Sequence, residues 1–341
     1  MQSMISSPTG TRSPRAVART LLLGALWLAP ADTGAQELHG LAGTMSDIPT
    51  PQTTYAWKVE YAQGLGEHFG FAVGWLNEGH IDGHHRDGYT LQLGARTPTL
   101  SRQLVLGLSG GVYRYFDTVE EDIAGYANHH DWGAIATGRA SYYFANRLVL
   151  RAELNRLWVR APSTDSWTAL VGLGYQLHAP REPGHRARPV PQRPWTTTNE
   201  ITAFVGRTVL NSFGSERSVA LALEYRRGIR RYIDWSFAFI DEGDPAVIRR
   251  YGLVTQLWAV RSFFSDRMTL GIGGGVYVAI EEKHELGPEG YGEEGTVAEL
   301  VTPTISWRVT PKFLLRFNWE RTLTSYDKDT DIFLFGVGYR F

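Results

Sequence analysis

The last eleven residues, 331–341, alternate in character with period two. Phe333, Phe335, Val337, Tyr339 and Phe341 share one side of the ribbon; Gly336, Gly338 and Arg340 share the other, with Ile332 and Leu334 near its start. Such alternation marks a strand with one apolar face. The same ribbon occurs once before, at residues 167–177. Shorter versions, divided by polar connections, predict strands near 36–46, 53–63, 67–77, 88–97, 103–115, 132–144, 148–160 and 167–177. In 103–115, Leu104, Leu106, Leu108 and Val112 share a face with Gly110, while Val105, Gly107, Ser109, Gly111 and Tyr113 share the other.

The pattern then repeats. At a shift of 164 positions Glu60 and Tyr61 fall on Glu224 and Tyr225, Glu78 and Gly79 on Glu242 and Gly243, Arg86 on Arg250, and Gly88 on Gly252. Gln92 and Leu93 fall on Gln256 and Leu257, the run Gly110 to Tyr113 on Gly274 to Tyr277, and Gly172, Gly174 and Tyr175 on Gly336, Gly338 and Tyr339. A repeat of this length predicts a second set of strands near 199–211, 217–228, 233–241, 250–261, 268–280, 297–309, 313–322 and 331–341. The chain is thus expected to be all-β, with about sixteen antiparallel strands in two tandem eight-strand repeats, 36–177 and 199–341. Between them, 178–198 carries Pro180, Pro183, Pro189, Pro191 and Pro194 with several Arg. Proline lacks the N–H a sheet needs, so this stretch is a linker.

The closing pattern, ending on the aromatic Phe341, resembles the last strand of bacterial outer-membrane β-barrels. That resemblance implies a transmembrane antiparallel barrel, and a C-terminal strand ending in Phe341 that is read by the barrel assembly machinery. No stretch after residue 35 approaches 18 uninterrupted apolar residues. In lipid every backbone N–H and C=O needs an internal partner, so a spanning chain without helices must close its sheet. Connections at 64–66, 98–102 and 145–147 are tight, those at 78–87 and 116–131 are longer and polar, and those at 47–52 and 161–166 are intermediate. Short periplasmic turns and longer outer loops are what such barrels show, and the linker then falls in the periplasm. The even strand count slightly favours one sixteen-strand barrel with an aqueous lumen over two eight-strand barrels with filled interiors. The proline-rich linker, the two closing patterns and the many inward glycines favour two.

The N-terminus reads as a signal peptide over 1–35. Arg12, Arg15 and Arg19 precede an apolar run from Leu21 to Leu28, and Thr33, Gly34 and Ala35 offer small residues for cleavage before Gln36. The expected location is the outer membrane of a Gram-negative bacterium after cleavage, with outer-membrane lipid as the surroundings. The net charge of −1 excludes polyanion binding through bulk charge, so no nucleic-acid partner is expected. The absence of cysteine suits an oxidising periplasm but decides nothing.

Inward-facing positions carry Lys58, Glu60, Arg151, Glu153 and Asn155 in the first repeat, and Glu224, Arg226, Arg316, Asn318 and Glu320 in the second. In a wide barrel these line water and set ion preference; in a narrow one they pair as a buried network. The predicted outer loops hold His80, Asp82, His84, His85, Arg86 and Asp87, then His129, His130 and Asp131. Imidazole beside carboxylate can bind a metal or activate water. A solvated loop has the same composition, and the second repeat carries Ile248, Arg249, Arg250 and Tyr251 instead, which excludes a catalytic role shared by both repeats. No Walker A, HExxH or nucleophile-elbow motif occurs, and no His is followed two positions on by Ser. No cofactor is implied. Trp57, Trp75, Trp158, Trp167, Trp258 and Trp319 are candidates for interfacial girdles. The first functional expectation is a porin-like passive channel for small solutes. The alternatives are a closed structural or surface-interaction barrel, and a rim hydrolase built on the outer-loop His and Asp residues.

Overall fold

The structure, a computed structural model, describes residues 35–50, 52–98, 101–121, 125–180, 184–185, 197–245, 248–283 and 297–341. The predicted signal segment up to residue 34 and most of the linker lie outside these. In chain order the strands are β1 Gln36–Asp47, β2 Thr53–Leu65, β3 Phe69–Ile81, β4 His84–Pro98, β5 Leu104–Val119, β6 Ala127–Tyr143, β7 Leu148–Trp158 and β8 Ser166–Gln176. The second set is β9 Asn199–Leu210, β10 Arg217–Arg230, β11 Ile233–Asp241, β12 Ile248–Phe263, β13 Met268–Lys283, β14 Val297–Arg308, β15 Phe313–Leu323 and β16 Thr330–Arg340.

The sixteen strands form two closed barrels of eight, β1–β8 and β9–β16. The expectation of a single sixteen-strand barrel is therefore corrected. β8 returns to β1 in antiparallel register from Glu37 opposite Gln176 to Asp47 opposite Ser166, and β16 returns to β9 from Arg340 opposite Glu200 to Thr330 opposite Leu210. Alternation specifies a strand and its faces but not its partner; fit at the closing contact does that. The repeated glycines provide the fit. A Cβ at Gly172 would lie 2.0 Å from the Gly40 carbonyl oxygen, and one at Gly336 would lie 2.5 Å from the Phe204 ring. Eight strands enclose an interior just wide enough for side chains.

The expected loops at 78–87 and 116–131 are also corrected. β3 and β4 run on to a tight turn, and β5 and β6 continue to Val119 and Ala127. A bulge between Asn77 and His80 breaks the alternation there. Gly79 sits in it at φ 68° and Gly243 holds the equivalent place at φ 71°. Their N–H groups donate to Asn77 Oδ1 and Asp241 Oδ1, both at 2.9 Å.

Outward positions on most strands are apolar and exposed, as with Val59, Leu93, Leu108, Leu154, Val171 and Leu173 on the first barrel and Val205, Leu221, Phe335 and Val337 on the second. A band of oily side chains around a polar interior is stable only in lipid. Part of the outward face of β2–β5 is different. There Tyr61, Phe71 and Val73 are buried with Ala259, Phe263, Met268 and Leu270 of the second barrel, and Trp75, Tyr89 and Phe116 are buried with Val301 and Leu323. The Trp319 ring lies 4.2 Å from that of Trp75 and 6.2 Å from that of Trp57. The two barrels thus share a lipid-free seam.

Candidate functional site

The charged side chains of each interior form two tiers, and both tiers recur in the repeat. In the tier towards the long-loop end, Arg86 Nε and Nη2 donate to the two Glu78 carboxylate oxygens at 2.6 and 3.0 Å. Arg86 also donates to Ser166 Oγ at 3.1 Å and to the Thr164 carbonyl at 2.5 Å, while Tyr113 Oη donates to Glu78 at 3.0 Å. In the second barrel Arg250 donates to Glu242 at 2.5 and 2.9 Å, to Thr330 Oγ1 at 2.7 Å and to the Lys328 carbonyl at 3.2 Å. Every member lies 164 positions after its counterpart, and Tyr277 stands where Tyr113 does. These fork-to-fork pairs satisfy a buried guanidinium and carboxylate together.

In the tier towards the short-turn end, Arg151 bridges Glu37 and Glu60 at 3.0 Å each. Lys58 donates to Glu153 at 3.0 Å and is paired with Glu60, and Arg139 Nη1 lies 3.5 Å from Glu60. The second barrel repeats the bridge, with Arg316 donating to Glu200 at 2.5 Å and to Glu224 at 2.7 Å, and Arg226 donating to Glu224 twice at 3.1 Å. Glu320 accepts from Asn318 Nδ2 at 3.2 Å. The lumen-lining candidates Lys58, Glu60, Arg151 and Glu153 are thus brought together in one barrel, and Glu224, Arg226 and Arg316 in the other. All are buried. Sequence reading missed Glu37, Arg139, Glu200 and the Glu–Arg forks. The forks carried a signal, since Glu78, Arg86 and Tyr113 each coincide with an identical residue in the repeat.

The outer His and Asp residues are not one site. His80 stacks on His85 with ring centroids 3.9 Å apart and meets Tyr55 Oη at 3.1 Å. His84 Nδ1 lies 3.1 Å from Asp117 Oδ2, and Ser163 Oγ donates to that same oxygen at 2.6 Å. The hydroxyl therefore bonds to the carboxylate and not to the imidazole, so no nucleophile–base pair forms. Asp87 lies outward in the seam, where Arg321 Nη2 donates to it at 3.4 Å while Nη1 donates to Asp331 at 2.5 Å. His130 is paired with Asp329 of the second barrel, and the Asn128 N–H donates to Asp327 at 2.7 Å. Asp131 lies 3.5 Å from Arg160, and His129 sits opposite Asp117 in the β5–β6 register. No group of three or more metal-ligating residues occurs among the described residues.

The expected tryptophan girdle is corrected in part. Trp158 and Trp167 are exposed and outward, but Trp258 is buried inside the second barrel, and Trp57, Trp75 and Trp319 belong to the seam.

His84 stands at the loop end of β4. Its hydrogen bond to Asp117 raises its pKa above the ordinary histidine value, against an opposing effect of burial. A raised folded-state pKa contributes stability in full below about pH 6.5 and loses it as pH climbs through the folded value. As pH rises above about 6.5 the wild type is therefore expected to lose stability that His84→Asn does not lose. Parallel denaturation curves for the two proteins check this.

The fold is an antiparallel, membrane-type β-barrel, oily outside and polar within. Its particular form is tandem, with two eight-strand barrels in one chain. No family model and no curated protein matches the chain. Among solved structures it is similar to the N-terminal β-barrel domain of Pseudomonas aeruginosa OprF, at 14% identity and TM-score 0.33 over 42% of this chain and 98% of that one. It is similar to Neisserial surface protein A at 12% identity and TM-score 0.33, over 42% of this chain and 96% of that one. It is also similar to the CymD monoaromatic hydrocarbon channel at 9% identity and TM-score 0.25, over 96% of this chain and 93% of that one.

Proposed function

We propose that the chain is a closed double barrel, a structural or surface-interaction element of the outer membrane that does not pass solutes. The observation that carries this reading is the pair of tiers in each barrel, where buried arginine and carboxylate side chains pair within the interior, Arg151 reaching Glu37 and Glu60, and Arg316 reaching Glu200 and Glu224, on other strands. A porin needs a wide lumen, which eight strands do not enclose. The seam supports the same reading, since it commits part of the outward face of each barrel to the other.

Planar-bilayer recording of the refolded full-length chain tests it. No stable single-channel steps are expected; regular steps of uniform size would overturn it. The polar character of both interiors favours a second reading, the porin-like channel for small solutes, and those same steps are its expected result. In either case we take signal cleavage before Gln36, and recognition of the strand ending in Phe341 by the assembly machinery, as part of the proposal.

A further inference from the structure

The two interiors differ at one level, and the difference leaves a space. In the second barrel Trp258 fills this level. It is buried, it receives the Arg226 guanidinium 3.6 Å from its ring centroid, and its Nε1 donates to Ser236 Oγ at 2.8 Å. The equivalent residue of the first barrel, 164 positions earlier, is Gly94. A cavity of about 50 Å³ lies there, with Gly94, Gln92, Arg96, Ser109, Arg139 and Glu37 in its lining.

The lining is rich in unused donors. Gln92 Nε2, Arg96 Nε and Arg139 Nε are buried without hydrogen-bond partners. Arg139 Nη2 donates to Ser109 at 2.9 Å and reaches Gln92 Oε1 at 3.5 Å, and its Nε is 3.8 Å from Glu153. Arg96 Nη2 donates to the Gly66 carbonyl at 3.4 Å. Glu37 keeps one oxygen unpartnered, but its other oxygen takes Arg151 and His39, both at 3.0 Å.

The charges do not balance. Among the described residues in this half of the first barrel the inward cations are Lys58, Arg96, Arg139 and Arg151, against the carboxylates Glu37, Glu60 and Glu153. The second barrel has neither extra cation. Val260 occupies the Arg96 position, and Thr304 occupies the Arg139 position, since Gly107 faces Arg139 as Gly271 faces Thr304. An uncompensated interior cation is costly, and each unused N–H adds to the cost.

We propose that the first barrel holds a small monovalent anion, of halide size, in this cavity against Gln92, Arg96 and Arg139. The volume suits one such ion with a water or two, since a single water needs roughly 10–15 Å³ measured this way. The described part of the linker lies across the near end of the barrel. The Ala35 N–H donates to the His185 carbonyl at 3.2 Å and Gln176 Nε2 to the Gly184 carbonyl at 2.8 Å, with the His185 ring 6.5 Å from that of the cavity residue Tyr143.

The test is anomalous diffraction from full-length protein crystallised in sodium bromide. The expected result is one bromide peak within hydrogen-bond distance of Arg139 and Gln92 in the first barrel and none at Trp258 in the second. A cavity holding water alone would overturn the proposal. Arg139→Gln is expected to weaken bromide binding about ten- to a hundredfold, the loss of one charge-assisted hydrogen bond. Should that variant fail to fold, Gly94→Trp with Ser109→Gly, which copies Trp258 facing Gly273, should fold and lose the peak. A bromide peak of undiminished height in folded Arg139→Gln, or any bromide peak in the folded Gly94→Trp variant, would also overturn it.

Discussion

Arg86→Ala is expected to cost about 3–5 kcal/mol, the range for removing one partner of a buried ion pair. The substitution leaves the Glu78 carboxylate, which is fully buried, without its fork, and removes the donor to Ser166 Oγ and to the Thr164 carbonyl. Arg250→Ala is expected to behave the same way, because Glu242 loses the same fork and Thr330 Oγ1 and the Lys328 carbonyl lose the same donor. Replacing both Glu78 and Arg86 by apolar residues of similar volume should cost much less than the single change, since no charge is then left unpaired. Denaturant unfolding of refolded protein in detergent micelles gives these values. Single variants costing under about 1 kcal/mol, the level of a solvated pair, would mean that water fills the tier and that the barrels are not sealed.

The second large effect is expected at the seam. Trp319→Ala should cost about 3 kcal/mol, the low end for truncating a packed tryptophan. Its ring touches Trp75 and Trp57 across the seam and stacks with Phe333 at 5.5 Å within its own barrel. Trp158 provides the contrast. It is 43% exposed on the outward face, and Trp158→Ala should fall within about 1 kcal/mol, since little packing is lost. The Trp319 variant should also unfold in two steps as the barrels uncouple, where the wild type unfolds in one. Equal effects of the two substitutions would mean that lipid, and not the other barrel, surrounds Trp319.

The strands were legible because a half-buried ribbon imposes period two wherever it occurs, and the duplication was legible because Glu78, Arg86, Tyr113 and the closing glycines recur at one spacing. The seam was not. An outward Trp75 or Tyr89 facing another barrel has the same pattern as an outward Leu93 or Leu108 facing lipid. Asp87 falls in an expected loop because 78–87 reads as a polar connection; Arg321 is what makes a charge tolerable at that outward strand position. The barrel number was illegible for a different reason. Pairing of first strand with last is a contact between residues far apart in sequence, and among its local traces are the glycines Gly43, Gly172, Gly206 and Gly336, where a Cβ would collide with the strand opposite. The His-rich segment looked like one cluster because His80 to Asp87 are adjacent in sequence, yet alternate strand residues point to opposite faces and so to different partners.

Engineered disulfides test the closure of each barrel most directly, since the chain contains no cysteine to interfere. Ala42 lies opposite Val171 across β1 and β8, and Ala203 lies opposite Val337 across β9 and β16. Directly opposed residues have Cα atoms roughly 4.5–5.5 Å apart, within disulfide reach. Two closed barrels predict that Cys pairs at 42 and 171, and at 203 and 337, cross-link in the folded protein, while a pair at 42 and 335, the β16 residue equivalent to 171, does not. Efficient cross-linking of 42 to 335, with none between 42 and 171, would show β16 beside β1 and one wide barrel instead.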